Sequence, residues 1–114
     1  MENIIYNELK TRGYSVDVGM VEIRKPDKDG KWIRTQLEVD FVANLGSKKY
    51  YVQSALSIPD REKEMQESRP LTSIKDSFKK VIIVKDHIMP RRNEEGILTI
   101  GLLDFLLKED SLDL

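Results

Sequence analysis

Residues 36–56 read QLEVDFVANLGSKKYYVQSAL, a stretch that two β-strands joined by a tight turn explain almost residue by residue. Apolar and polar side chains alternate from Ile33 to Phe41, which is the period of a strand. Leu45-Gly46-Ser47-Lys48 then suits a two-residue loop with glycine first, the type II′ pattern. If Leu45 pairs with Lys48, the register sets Asp40 opposite Gln53 and Glu38 opposite Ala55. Strict alternation puts Glu38, Asp40, Gln53 and Ala55 on one face. Leu37, Val39, Phe41, Val52 and Leu56 fall on the other, as a core-like set. An acid facing an amide, with a second acid one step along the strand, is more polar grouping than folding requires. The chemistry of the chain is expected there.

The rest of the chain is arranged around this hairpin. Glu2 to Arg12 reads as a helix with Ile5 and Leu9 inward and Gly13 as its stop. Glu2 lies in the first turn, and Glu8 reads as part of a solvated face. Tyr14 to Arg24 reads as a strand in which Gly19 marks a bulge or a close backbone approach. Asp29-Gly30 in the polar turn KPDKDGK returns it to a long second strand, Trp32 to Ala43. Tyr50 to Leu56 makes the third strand of an antiparallel meander. Ser57-Ile58-Pro59-Asp60 looks like a helix start, with Ser57 or Asp60 as N-cap and the helix ending near Ser68. Pro70 is expected to open a second short helix carrying Leu71 and Ile74. Val81-Ile82-Ile83-Val84 is a continuous β-branched run, suited to a central strand buried on both faces. Asp86 to Gly96 reads as a polar loop, Ile97 to Ile100 as a short strand and Gly101 to Lys108 as a closing helix. The acidic tail is expected to fray. The fold class is mixed α/β, a mixed sheet with an αβββαβ core and helices on both faces.

Composition narrows the function. The 114 residues suit one domain with one modest core, 34% charged and 39% hydrophobic. A net charge of −1 provides no global field for nucleic acid, so any such binding needs a local basic patch. Cysteine is absent, which removes disulfides and cysteine metal sites and asks for no oxidising compartment. No apolar run spans a bilayer and no signal-peptide core is present, so no membrane partner is expected and the cytoplasm is the expected location. A helical pattern beginning almost at Met1 points to a piece of a longer protein.

The order αβββαβ is the core of the restriction-endonuclease-like, or PD-(D/E)xK, fold. VDFVANLGSKKYYVQSA resembles the active-site hairpin of archaeal Holliday-junction resolvases and Mrr-type nucleases. Those families carry an Asp near the end of strand two, then Glu or Gln, any residue and Lys on strand three, and a Glu opening the first helix. By that resemblance Asp40, Gln53 and Glu2 are the catalytic positions, and Ala55 stands where the lysine belongs. A closer resemblance runs over nearly the whole chain, through ENIIYNEL, RGYSVDVG, EVDFVA, KKYYVQSA, RE…PL…IKD…KK and EGI…I…DFLL. It is to an uncharacterised C-terminal domain that follows a P-loop ATPase module in bacterial and archaeal ATP-binding proteins. That domain commonly reads Gln-x-Ala in strand three. The resemblance makes residues 1–114 a single nuclease-like domain, the C-terminal fragment of a longer ATPase. The ATPase module is then its partner. No G-x-x-x-x-G-K-[ST] occurs here, so no nucleotide hydrolysis is expected of this chain.

An active site of this kind holds Mg²⁺ through oxygen ligands, and the metal activates water and steadies charge on phosphate. Asp40 and Glu2, with Glu38 as a further acid, would supply the oxygens. Gln53 is a weaker donor and the cation is missing at Ala55. Lys49 pairs near the turn, about four residues or roughly 13 Å from Gln53. Only a migrated lysine, Lys63 or Lys75, could replace it. The site is therefore expected to be vestigial, with no cofactor unless Mg²⁺ is held in an active one. The expected role is an accessory domain that binds nucleic acid or a protein. A Mg²⁺-dependent DNA nuclease with a displaced lysine and a pure protein-interaction module are the alternatives. Arg91-Arg92 is a small basic spot that could meet DNA but reads first as loop solvation. His87 reads as a solvated loop residue. Trp32 reads first as packing, with base stacking the second possibility.

Overall fold

The helix expected at the start is α1 (Glu2–Thr11), and it buries Ile5 and Leu9, one turn apart, completely. It closes through paired bonds from the Gly13 and Tyr14 N–H groups to the Lys10 and Leu9 carbonyls, at 3.0 and 3.1 Å. The structure is a computed structural model that describes residues 1–58 and 60–114. Six strands follow in one mixed sheet: β1 (Ser15–Pro26), β2 (Trp32–Leu45), β3 (Lys48–Ala55), β4 (Lys79–Val84), β5 (Arg91–Arg92) and β6 (Leu98–Gly101). Their order across the sheet is β1-β2-β3-β4-β6-β5. The β1–β2–β3 half is antiparallel, and β4 runs parallel to both β3 and β6. α2 (Arg61–Thr72) and α3 (Leu102–Leu107) complete the regular elements, with a 3-10 turn at Ser111–Asp113. No helix among the described residues is long and apolar enough to cross a membrane.

Two cores lie on the two faces of the sheet. Ile5, Leu9, Phe41, Val52, Ile83 and Phe105 are among those filling the side covered by α1 and α3. Val39, Tyr51, Ala55, Leu71, Ile82 and Val84 are among those on the side covered by α2. Alternation down β4 feeds both cores, so its apolar run is continuous.

The hairpin register is the expected one: Leu45 pairs with Lys48 and Phe41 with Val52. Gly46 takes φ +60° and Ser47 does not turn positive, as a type II′ loop requires. The facing set is different. Asp17 pairs with Val42 but Gly19 with Val39, so two steps along β1 match three along β2. The extra residue is a bulge at Asp40–Phe41, and a bulge reverses which face later residues occupy. Val39 and Phe41, expected together, thus lie in opposite cores. The expected face of Glu38, Asp40, Gln53 and Ala55 is split: Ala55 belongs to the α2-side core, while the Asp40 carboxylate turns toward α1.

Other expectations are corrected. α2 is one helix and continues through Pro70 to Thr72. Proline there removes a single bond close to the helix end, and Pro70 and Leu71 are both buried. Asp60 is the N-cap and accepts from the Lys63 N–H at 2.8 Å; Pro59 lies outside the described residues. Arg91 and Arg92 form an edge strand against β6 instead of a loop. The tail does not fray, because Leu112 fills the α1-side core and the Tyr50 hydroxyl donates to Asp113. Glu8 is not simply solvated but pairs with Arg12 at 3.1 Å. Arg12 in turn donates to the Phe105, Lys108 and Glu109 carbonyls and lies 4.6 Å over the Phe105 ring. It supplies the end of α3 with the donors a helix C-terminus lacks.

Candidate functional site

Asp40 lies where the β2–β3 ladder stops. The paired residues end at Phe41 and Val52, and one position further the backbone bond is replaced by a side chain. The Asp40 N–H donates to Gln53 Oε1 at 2.7 Å, and Gln53 is buried. Gln53 satisfies the N–H that the bulge pulls out of register, which a buried amide donor needs. The pair that the register predicted is in contact, through a backbone donor and not through the carboxylate.

The carboxylate has a different partner. Asp40 Oδ2 accepts from the Ser54 N–H at 2.8 Å and from Ser54 Oγ at 2.9 Å. Ser54 Oγ also lies 3.3 Å from Glu2 Oε1. One hydroxyl therefore links a carboxylate on β2 with one in the first turn of α1. Glu2 and Asp40 are brought together; Glu38, exposed on the strand before the bulge, makes no hydrogen bond with them among the described residues. Ser54 is the residue that reading the sequence missed. Its signal was a serine on β3 between Val52 and Leu56, at a position that alternation assigns to the apolar face.

Ala55 packs with Leu71 and Val84 under α2. A lysine there would leave the sheet on the side away from Asp40. Lys63 pairs with Glu67 at 2.9 Å on α2, and Lys75 lines a cleft of about 400 Å³ beside Gly19 and Tyr51 on the α2 side. Among the described residues no lysine or arginine ion-pairs with Asp40 or Glu2. Nor do three or more His, Asp or Glu side chains come together among them in a way that could hold a metal ion. Asp40 Oδ1 and Glu2 are oxygen donors of the kind a hard cation takes. Asp40 Oδ2 already accepts two hydrogen bonds.

Several other polar groups hold the fold together. Tyr51 donates to Asp76 at 2.6 Å, and Lys80 folds onto the same carboxylate at 3.3 Å. Burial, the bond to Asp76 and that carboxylate's charge push the Tyr51 phenol up to about 12. Burial also pushes Tyr50 upward, as does its partner Asp113. Lys79 is lowered by burial and by the nearby Arg92. Arg91 lies 3.9 Å from Glu64, and Arg92 donates to the Leu114 carbonyl. Both arginines line a groove of about 920 Å³ between α2 and β5, whose lining mixes acids and bases. His87 is exposed in its loop. Trp32 is 71% exposed, so the packing role expected of it is not met.

Against known proteins, the chain is similar to an uncharacterised protein of Haemophilus influenzae. The two are 34% identical over 108 residues, which is 95% of this chain. The chain spans 23% of the length of that relative. No family model matches, and no solved structure matches.

Proposed function

We propose that this chain is a nuclease-fold accessory domain, of the restriction-endonuclease-like kind, whose catalytic site is vestigial and which binds nucleic acid. Its natural setting is the C-terminal part of a longer protein with a P-loop ATPase module, in the cytoplasm. The carrying observation is the Glu2–Ser54–Asp40 arrangement: two carboxylates from α1 and β2 meet at the bulge through a serine, and among the described residues neither forms an ion pair. The element order and the mixed sheet support the fold reading. The relative is several times longer than the stretch it shares with this chain, which supports an accessory role. Phosphodiester hydrolysis needs a metal-activated water and a group to offset charge on the phosphate. With Ala55 turned under α2, the position the resemblance gives to the lysine offers no charge, and no lysine or arginine among the described residues ion-pairs with Asp40.

The test is incubation of the purified domain with linear and branched DNA, with Mg²⁺ or Mn²⁺. No cleavage is expected, together with salt-sensitive binding. Metal-dependent cleavage that disappears in Asp40→Ala would overturn the vestigial site and favour a displaced lysine.

A further inference from the structure

The β1–β2 ribbon carries features that the Asp40 site does not use. Pairing of β2 with β3 ends at Phe41, whereas β1 and β2 stay paired out to Pro26 and Trp32. From Gly19 and Val39 outward the two strands form an arm without a third strand. Its length is roughly 23 Å at about 3.3 Å per residue. Residues 24–34, RKPDKDGKWIR, form its outer part. Arg24, Lys25, Lys28, Lys31 and Arg34 against Asp27 and Asp29 give +3, in a chain whose net charge is −1.

These charges are poorly explained by the fold. Asp27 is used inside the turn, where Oδ1 accepts from the Asp29 and Lys31 N–H groups at 2.9 and 2.8 Å. Arg24 pairs directly across the ladder with Arg34, and like charges placed opposite each other destabilise a strand pair. Arg34 finds Glu22 at 3.1 Å, but among the described residues Arg24, Lys25, Lys28 and Lys31 form no ion pair. Arg91 and Arg92, by contrast, already have partners within the chain. Beside the unpaired cations stands Trp32, the sole tryptophan, 71% exposed at the start of β2.

We propose that this ribbon tip is a contact surface for single-stranded nucleic acid. The basic side chains take phosphates, and the Trp32 indole stacks on an unpaired base. The assignment rests on the nucleic-acid-binding reading above and locates it at the far end of β2, roughly 26 Å along the strand from Asp40 at about 3.3 Å per residue. Stacking needs a free base face, which a duplex interior does not offer. A membrane surface fits less well: the register puts Trp32 on the same face as Arg24, Arg34, Glu22 and Glu38, so the indole stands among charges, while Ile23, Ile33 and Leu37 lie on the opposite face.

The whole chain is titrated with a mixed-sequence single-stranded oligonucleotide while indole fluorescence is followed, which reports Trp32 alone. Quenching is expected, with affinity falling as salt rises. Lys28→Ala with Lys31→Ala should reduce the log–log salt slope by about 0.7 per lysine. Trp32→Ala, followed through a labelled oligonucleotide, should weaken binding roughly 5- to 140-fold, and Trp32→Phe should restore much of it. Thermal melts matching the parent show that these exposed substitutions leave the fold intact. Binding without quenching, unchanged in the variants, overturns the ribbon assignment and leaves the broader reading standing. No binding to any nucleic acid at low salt overturns both. A response to anionic vesicles that exceeds the response to oligonucleotide overturns it in favour of a lipid surface.

Discussion

Asp40 shows how much one inserted residue changes. Without the bulge its carboxylate would share a face with Gln53 and Ala55; with it, the carboxylate meets Ser54 and Glu2. Gly19 sits opposite the bulge for a steric reason. A Cβ on Gly19 would lie 2.7 Å from Val42 Cγ2 and 3.2 Å from Val39 Cβ. Gly19→Ala should therefore cost about 1–3 kcal/mol of stability through overpacking. Urea denaturation midpoints check this, and an unchanged midpoint would mean the bulge yields freely. Tyr51 gives a pH expectation. The unfolded phenol ionises near 10.0 and the folded one at about 12. Stability tied to the neutral phenol is whole below pH 10 and is lost as pH rises through about 12. Asp76 runs the other way. Burial raises it, but the Tyr51 hydroxyl, the Phe78 N–H and Lys80 outweigh that and hold it below 3.8. Its contribution is present above pH 3.8 and declines as pH falls below that. Tyr51→Phe should lose stability less steeply above pH 10 than the parent, as followed by circular dichroism. Some slope should persist, since Tyr50 is also raised.

Among the elements, the C-terminal turn departs most from its sequence signal. Ser111–Asp113 lies in an acidic stretch that looks solvated, yet Leu112 is 2% exposed. Leu112→Ala should cost about 2–5 kcal/mol, the range for emptying a buried leucine site. Leu107→Ala, on the exposed side of α3, should stay within about 0.5 kcal/mol. Thermal or urea unfolding separates the two; equal small effects would mean the turn is loosely docked. α2 makes a related point. Pro70 signals a break, but the helix continues because its buried last turn gains more from packing Leu71 than one missing bond costs.

At the scale of the whole molecule the sheet combines local and distant pairing. β1, β2 and β3 pair through short turns, whereas β4 and β6 join by parallel contacts that need intervening chain. β4 lies between β3 and β6, with its four apolar residues shared by both cores. Amide exchange should be slowest there and fastest at the ribbon tip, residues 24–34, which lacks a third strand and a covering helix. Hydrogen-exchange mass spectrometry or NMR checks this gradient. Comparable protection at the tip would show that the arm is covered in solution.

What the sequence alone determined is local: strand period, turn chemistry and caps. These depend on residues a few positions apart, so the hairpin register, the Gly46 loop, a cap at Ser57 or Asp60 and the central place of Val81–Val84 were all legible. The resemblance of the hairpin to nuclease sites named Glu2 and Asp40 together, and the two carboxylates share the Ser54 hydroxyl. Tertiary structure alone decided which way side chains turn past the bulge, because a one-residue insertion leaves the alternation pattern readable while reversing its meaning. It also decided that Ser54 joins the two carboxylates, that Ala55 faces α2, and that Leu112 is core and Trp32 is not. Burial is set by what packs above a residue, which the packing of whole elements decides and not the residue's own neighbours in sequence.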